Sequence, residues 1–432
     1  MAPPRPGAFA VESSAGPDDS ASPAVAPGTG DPPLSGSFAL SSASIEAFSA
    51  FEPVIVAAEH VVTPDRVLAP GWLRIAAGRI AAVGEGEPLE PATYRGHWAL
   101  PGFIDMHVHG GGGASFTDGG PQDARRAAAF HRAHGTTRIV ASLVTAPVDE
   151  LERRVVMLAA LADEGVIDGI HLEGPFLSAA RCGAQNPRYL TAPDVAAFRT
   201  LHAAARGWLT MITIAPELPG ALDVIHAATA AGVIAAAGHT DASAEVTAGA
   251  IAAGISHATH LFSGMRPFHH RAPGPVGALL DSQVTCEVIA DGVHLHDTVI
   301  RLAARAVGPG NLVLITDAMA AAGMPDGTYR LGELPVTVTE GVARLALSQT
   351  TPGAIAGSTA TMDQVVRHAI TAVGLSVPAV AAAAGTTPAR RLGLAKETGA
   401  LRPGLAADIV LLDATFRLQA VISRGAPAPV PL

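Results

Sequence analysis

Eight short apolar runs, each followed by a stretch rich in alanine, set the tightest limit on what this chain can fold into. They cover residues 103–108, 138–144, 169–172, 209–214, 233–237, 257–261, 285–290 and 312–316. Strands buried on both faces read as near-continuous apolar runs, and parallel neighbours need a crossover, usually a helix, to bring the chain back to the same end of the sheet. Eight such units match a closed parallel barrel better than an open sheet, whose strand count is usually lower. The expected class is therefore α/β: a (β/α)8 TIM-type barrel over 101–399.

The flanks read differently. Residues 1–50 are rich in Pro, Ala, Ser and Gly with little apolar periodicity, too few buried contacts to offset the entropy of ordering, and a disordered tail is expected there. Short strands at 72–75 and 80–83 flank the turn Ala77-Gly78-Arg79, and matching runs recur at 408–412 and 418–422. The two flanks are thus expected to pair into a small β-sandwich domain over 51–100 and 400–426. Alternation around turns between Pro325 and Leu347 predicts strands inserted before the last helix.

Composition removes several functions. With 49% hydrophobic residues and a formal charge of -10, the chain can bury a large core but has no basic field for a nucleic-acid backbone or an anionic membrane. No apolar run is long enough to span a bilayer and the N-terminus lacks a leader pattern, so a cytoplasmic protein is expected. Cys182 and Cys286 form no C-x-x-C pair, which argues against a disulfide framework or a thiolate metal site, and nothing around Cys182 points strongly to a redox role. The single lysine is Lys396, outside the barrel runs, so a mechanism that needs a barrel lysine is excluded.

The chemistry gathers where the runs end. The first ends Asp105-Met106-His107-Val108-His109, in which alternation points His107 and His109 the same way. The third ends His171-Leu172-Glu173-Gly174-Pro175, the fifth reaches His239, the sixth His260 and the eighth Asp317. In a parallel barrel these ends converge on one face. One histidine at a strand end is most often structural, and Thr-Asp-Ala alone can be a helix cap; the set together describes a nitrogen and oxygen site for Zn²⁺, Fe²⁺ or a related divalent ion. Such an ion lowers the pKa of a bound water to roughly 7. Asp317 is then the expected general base, which takes the water proton and returns it to a leaving nitrogen.

These segments, with Pro101-Gly102-Phe103-Ile104, His260-Leu261-Phe262, Ala290-Asp291-Gly292-Val293-His294 and Ala356-Gly357-Ser358, resemble the N-acetylglucosamine-6-phosphate deacetylase family of the amidohydrolase superfamily over nearly everything after residue 50. The resemblance implies that Glu173, His239 and His260 hold the main metal, with Asp317 as catalytic acid and base. It implies that Glu173 takes the place of the carboxylated lysine used by other superfamily members, and that His107 and His109 mark a second metal position. One or two ions of Zn, Fe, Mn or Co per subunit are expected. Substrate contacts are expected from Ala184, Gln185, Ser263, Gly264, Arg271, His294, Ile355, Ala356 and Gly357. Arg271 and His294 are expected to bind phosphate across a homodimer interface.

The chain departs from the family pattern at Ser263-Gly264, where Asn-Ala is usual, and at Gln185, where a histidine that polarises the acetyl carbonyl is common. A carboxamide donates a hydrogen bond but cannot become cationic, so a second metal at His107 and His109 is expected to take that role. The reaction implied is deacetylation of N-acetylglucosamine 6-phosphate in amino-sugar catabolism. Two alternatives stand beside it: an amidohydrolase of another N-acyl compound, such as an unphosphorylated amino sugar, and a catalytically silent barrel that acts as a binding protein.

Overall fold

A computed structural model describes residues 54–346 and 353–430. The tail expected over 1–50 lies outside the described residues. Eight parallel strands form one sheet in sequential order: β1 (Phe103–Val108), β2 (Thr136–Val144), β3 (Gly169–Glu173), β4 (Leu209–Ile214), β5 (Ile234–Ala237), β6 (His257–Ala258), β7 (Thr285–Ile289) and β8 (Leu312–Ile315). A helix follows each strand, from Pro121–Ala133 after β1 to Met362–Thr371 after β8. The first and last strands close the ring beyond their hydrogen-bonded ladders. His109 donates its backbone N–H to the Ala318 carbonyl at 2.8 Å, and Asp317 donates to the His107 carbonyl at 2.9 Å.

All eight expected runs are strands, with one informative difference in length. The run 257–261 is ladder only at His257–Ala258. Beyond it the backbone leaves the strand conformation, with φ at 22° for His260 and 78° for Phe262. That turn swings a histidine from the barrel wall to its mouth.

Two layers of apolar contact hold the barrel. Met106, Met211, Ala236, Ile289, Val313 and Ile315 meet inside it, while a much larger cluster fills the space between strands and helices, with Phe103, Leu143, Leu158, Phe198, Leu279 and Val366 all buried. Both flanks join one eight-stranded sheet, in which Ile409–Leu412 pairs antiparallel with Tyr94–Pro101, which itself pairs parallel with Val54–Val62. Tyr94–Pro101 runs almost directly into β1, so the small sheet is bonded to the strand that opens the barrel. The expected insertion is present as the antiparallel strands Gly327–Leu331, Leu334–Thr339 and Val342–Leu345. Its apolar face packs on Val144, Met319 and Ala356.

A buried ionic knot fastens the small sheet to the barrel. Arg138 on β2 reaches Asp408 through Nε at 3.0 Å and Asp168 through Nη1 at 3.1 Å. Asp408 also accepts from the Thr398 hydroxyl and the Arg424 N–H, both at 2.7 Å. Removing one partner of a buried pair leaves the other charge without compensation, which costs about 3–5 kcal/mol. Asp408→Ala is therefore expected to lower the stability measured by urea unfolding by about that amount, and a loss under about 1 kcal/mol would show that water replaces the carboxylate.

Candidate metal centre and active site

The strand ends deliver two groups of ligand-type side chains to the mouth of the barrel: Glu173, His239 and His260 in one, His107, His109 and Asp317 in the other, all buried. In the first, Glu173 Oε1 lies 2.9 Å from Nε2 of both His239 and His260. In the second, Asp317 Oδ1 lies 3.5 Å from His107 Nε2 and 3.3 Å from His109 Nε2. Glu173 Oε2 stands 3.2 Å from His109 Nε2, so one carboxylate touches both groups. His239, His260 and Asp317 all adopt positive φ. Such backbone costs on the order of 1–3 kcal/mol for a non-glycine residue and persists where surrounding structure holds it, most often at functional sites.

The donor chemistry fits divalent cations. His107 Nδ1 faces a Glu287 carboxylate oxygen at 3.1 Å and His109 Nδ1 faces the Ser142 carbonyl at 3.2 Å. Both partners only accept, so both Nδ1 atoms carry hydrogen, and each ring in its neutral form turns an Nε2 lone pair inward. Those two Nε2 atoms are 3.1 Å apart and face carboxylates. Lone pairs that converge in this way need a cation among them. His239 repeats the pattern, with Nδ1 on the Arg181 carbonyl at 2.9 Å.

The titration behaviour expresses the same demand. Burial pushes the His107 ring toward neutrality, but the carboxylates of Asp317, Glu173 and Glu287 outweigh it and hold its pKa well above the ordinary value. Burial raises Glu173, yet His107 and His239 bring it well below the usual carboxylate range. Asp317 is likewise lowered, with burial opposed by His107 and His109.

His171 is absent from both groups. Its nitrogens are taken by Ser142 Oγ at 3.0 Å and Thr213 Oγ1 at 2.8 Å. Burial and the adjacent His107 hold it well below its ordinary pKa. It stays neutral and packs edge-on against His107, with ring centroids 4.6 Å apart.

Above these groups lies a cavity of about 260 Å³, lined by His109, Glu173, His239, His260 and Asp317 and by Gly183, Ala184, Gln185, Ser263, Gly264, His294, Leu331, Ala354, Ile355 and Gly357. Of the expected substrate contacts, Ala184, Gln185, Ser263, Gly264, His294, Ile355 and Gly357 line this cavity, and Ala356 and Arg271 do not. Ala356 is fully buried and gives its N–H to Ala343, packing the inserted sheet instead of facing the cavity. His294 lines the cavity of its own chain, where Asp291 grips its Nδ1 at 2.7 Å and its backbone N–H at 2.9 Å. Gln185 lines the cavity but uses both ends elsewhere, donating to Glu173 Oε2 at 2.6 Å and accepting from the Thr145 N–H at 2.7 Å. Arg271 is exposed, outside the lining, with Nη1 2.8 Å from His270 Nε2.

Sequence reasoning passed over Glu287. It is fully buried in the middle of β7 and touches His107, His257 and the His260 backbone. The signal was available as a lone carboxylate inside an apolar run, since a charge in such a strand is almost never buried without partners.

A parallel barrel with two carboxylate and imidazole groups at its strand ends defines a metal-dependent amidohydrolase. The model of the amidohydrolase family matches residues 98–430. An N-acetylglucosamine-6-phosphate deacetylase from Lysinibacillus sphaericus is 35% identical over 356 residues, 81% of this chain and 90% of that protein. An N-acetylgalactosamine-6-phosphate deacetylase from Escherichia coli O157:H7 is 35% identical over 85% of this chain and 98% of its own length. The structure of a Mycobacterium smegmatis N-acetyl-D-glucosamine-6-phosphate deacetylase mutant in complex with N-acetyl-D-glucosamine-6-phosphate matches with a TM-score of 0.83 and 45% identity, over 88% of this chain and all of that one. This chain belongs to the N-acetylglucosamine-6-phosphate deacetylase family.

The geometry shows why glycine suits position 264. Gly264 has φ of +58°, and a Cβ there would stand 2.9 Å from His239 Nδ1, the nitrogen that holds the ligand ring to Arg181. Gly264→Ala combines a left-handed backbone, costing about 1–2 kcal/mol, with a push on a ligand. The expected result is weaker metal retention on dialysis, read by elemental analysis. Unchanged retention would show that the 263–264 turn moves freely.

Proposed function

We propose that this chain hydrolyses the acetamide of N-acetylglucosamine 6-phosphate to acetate and glucosamine 6-phosphate, with Glu173, His239 and His260 as ligands of one ion and His107 and His109 at a second position. The observation that carries the reading is Asp317, whose carboxylate shares the cavity with Glu173, His239 and His260 while lying 3.3 Å from His109. Divalent ions at such donors polarise an amide carbonyl and make water acidic enough to attack near neutral pH. Asp317 accepts the proton of the attacking water as the new C–O bond forms. It then donates that proton to the amide nitrogen as the C–N bond breaks, so the amine leaves neutral. Gln185 fixes the Glu173 carboxylate, and an ion held by His107 and His109 would polarise the acetyl oxygen. Zn²⁺, Fe²⁺, Mn²⁺ and Co²⁺ all suit these ligands.

His294, the Ser263 hydroxyl and the backbone at Gly264 and Gly357 belong to the cavity lining, and we assign the sugar phosphate to them. The position of Arg271, exposed on the segment that follows Ser263-Gly264, supports its contribution to a neighbouring subunit in a homodimer. Phe268 on the same segment is 55% exposed, an apolar side chain available for such an interface. A division into a barrel over 101–399 and an accessory domain from both flanks is supported by a flank cluster of Val56, Leu73, Ile80, Ile409 and Ile422, while Val62, Leu100, Val410 and Leu412 pack into the barrel's own core. A cytoplasmic setting follows from the charged substrate, which does not cross membranes unaided; among the described residues no helix is long and apolar enough to span one.

A second reading has its own support: the Escherichia coli relative acts on the galactose epimer at similar identity, and Ser263-Gly264 supplies no side-chain amide for the phosphate. Acetate release should be compared for N-acetylglucosamine 6-phosphate, its galactose epimer and unphosphorylated N-acetylglucosamine. The first is expected to be fastest, and a preference for either other sugar would move the assignment. Chelation should abolish turnover and added divalent metal restore it. Asp317→Asn should lower kcat by about 10²–10⁴-fold while the ion at Glu173, His239 and His260 is kept; wild-type kcat would remove Asp317 from the proton path.

A further inference from the structure

We propose that Glu287 is a positioning residue that links the two metal positions, fixing one ligand of each through a single buried carboxylate. The inference rests on the two-position reading above.

Glu287 sits in the middle of β7 with no exposed surface. Its Oε2 accepts from His107 Nδ1 at 3.1 Å and from the backbone N–H of His260 at 3.0 Å. Its Oε1 lies 3.0 Å from His257 Nε2, and His257 Nδ1 meets Thr285 Oγ1 at 2.5 Å. The main chain adds a further hold, because the Glu287 carbonyl accepts the Leu261 N–H at 2.9 Å. Side chain and backbone of one residue thus clamp the His260–Leu261 turn, where His260 departs from the strand with φ of 22°.

The two contacts act differently. At His107 the carboxylate bonds the coordinating ring itself, which fixes the tautomer with its Nε2 lone pair inward and makes that nitrogen a stronger donor. At His260 it bonds only the backbone, so it places the ring without altering its basicity. Loss of the carboxylate should therefore weaken the His107 and His109 position far more than the Glu173, His239 and His260 position. Outer partners of this kind change metal affinity by about 10–100-fold.

Two substitutions separate charge from hydrogen bonding. Glu287→Gln keeps the size and, with its amide oxygen toward His107, both of these bonds, while removing the charge; Glu287→Leu removes both properties. The experiment is a Co²⁺ titration of the metal-free full chain, with stoichiometry from elemental analysis, binding followed by visible absorbance, and melting temperature recorded before and after loading. The wild type is expected to bind two ions per chain. Glu287→Gln should bind the second ion about 10–100-fold more weakly, and Glu287→Leu should hold one ion with the first-site affinity preserved. The shift in melting temperature on loading, compared within each variant, separates lost metal from lost fold. If Glu287→Leu does not fold, Glu287→Gln decides alone, and wild-type affinity at both positions overturns the proposal. A wild type that binds one ion, unaffected by His107→Ala or His109→Ala, would instead overturn the two-position reading and this inference with it.

Discussion

Closing eight parallel strands into a ring decides where everything else in this protein must lie. The ladder alone does not complete the ring: β8 and β1 meet through the backbone of His107, His109, Asp317 and Ala318. The residues that seal the barrel are therefore the same ones that face its mouth. Ser358 reinforces the seam, giving its N–H to the Asp317 carbonyl at 2.7 Å and its hydroxyl to the Thr316 carbonyl at 2.6 Å. Fold stability and site geometry share these bonds, and a substitution along the seam disturbs both.

Convergence of strand ends brings an electrostatic problem, because carboxylates buried close together repel and are costly to desolvate. Glu173, Asp317 and Glu287 are each buried, and each faces imidazoles. Without cations those rings must take up protons to balance the charge, which is why His107 is raised so far despite its burial. Divalent ions supply the same balance without protons and leave the lone pairs free to coordinate. Beneath them, neutral groups such as His171, Ser142, Thr213 and Thr259 form an unbroken hydrogen-bonded chain. That layer holds the rings in place and adds no charge.

The barrel and the imidazole and carboxylate groups at its mouth were legible because both follow from short-range pattern. Apolar runs buried on both faces announce parallel strands, and polar residues at their ends announce the mouth. What escaped depends on the turns. Residues 259–261 look like strand, and only the positive φ at His260 shows that the chain has left it. Ala356 and Gly357 are neighbours in one motif, yet only Gly357 lines the cavity while Ala356 faces the inserted sheet. The setting of His294 escaped as well, because nothing in the sequence reveals the grip of Asp291 on its ring. Glu287 shows the reverse failure: its setting was visible, but its partners lie on β1 and β6, far away in sequence.

Gln185 shows how these constraints select one side chain. Its amide nitrogen is 2.6 Å from Glu173 Oε2 and its oxygen is bound to the Thr145 N–H. The position must therefore donate to a carboxylate and accept from a backbone amide at the same time. A carboxamide does both without charge, whereas a neutral imidazole could do so only along the fixed line between its two nitrogens. A cationic imidazole would have no acceptor for Thr145 and would add positive charge beside the His107, His109 and His239 rings. Once His107 and His109 gather at that end of the mouth, a neutral side chain at 185 is the better fit.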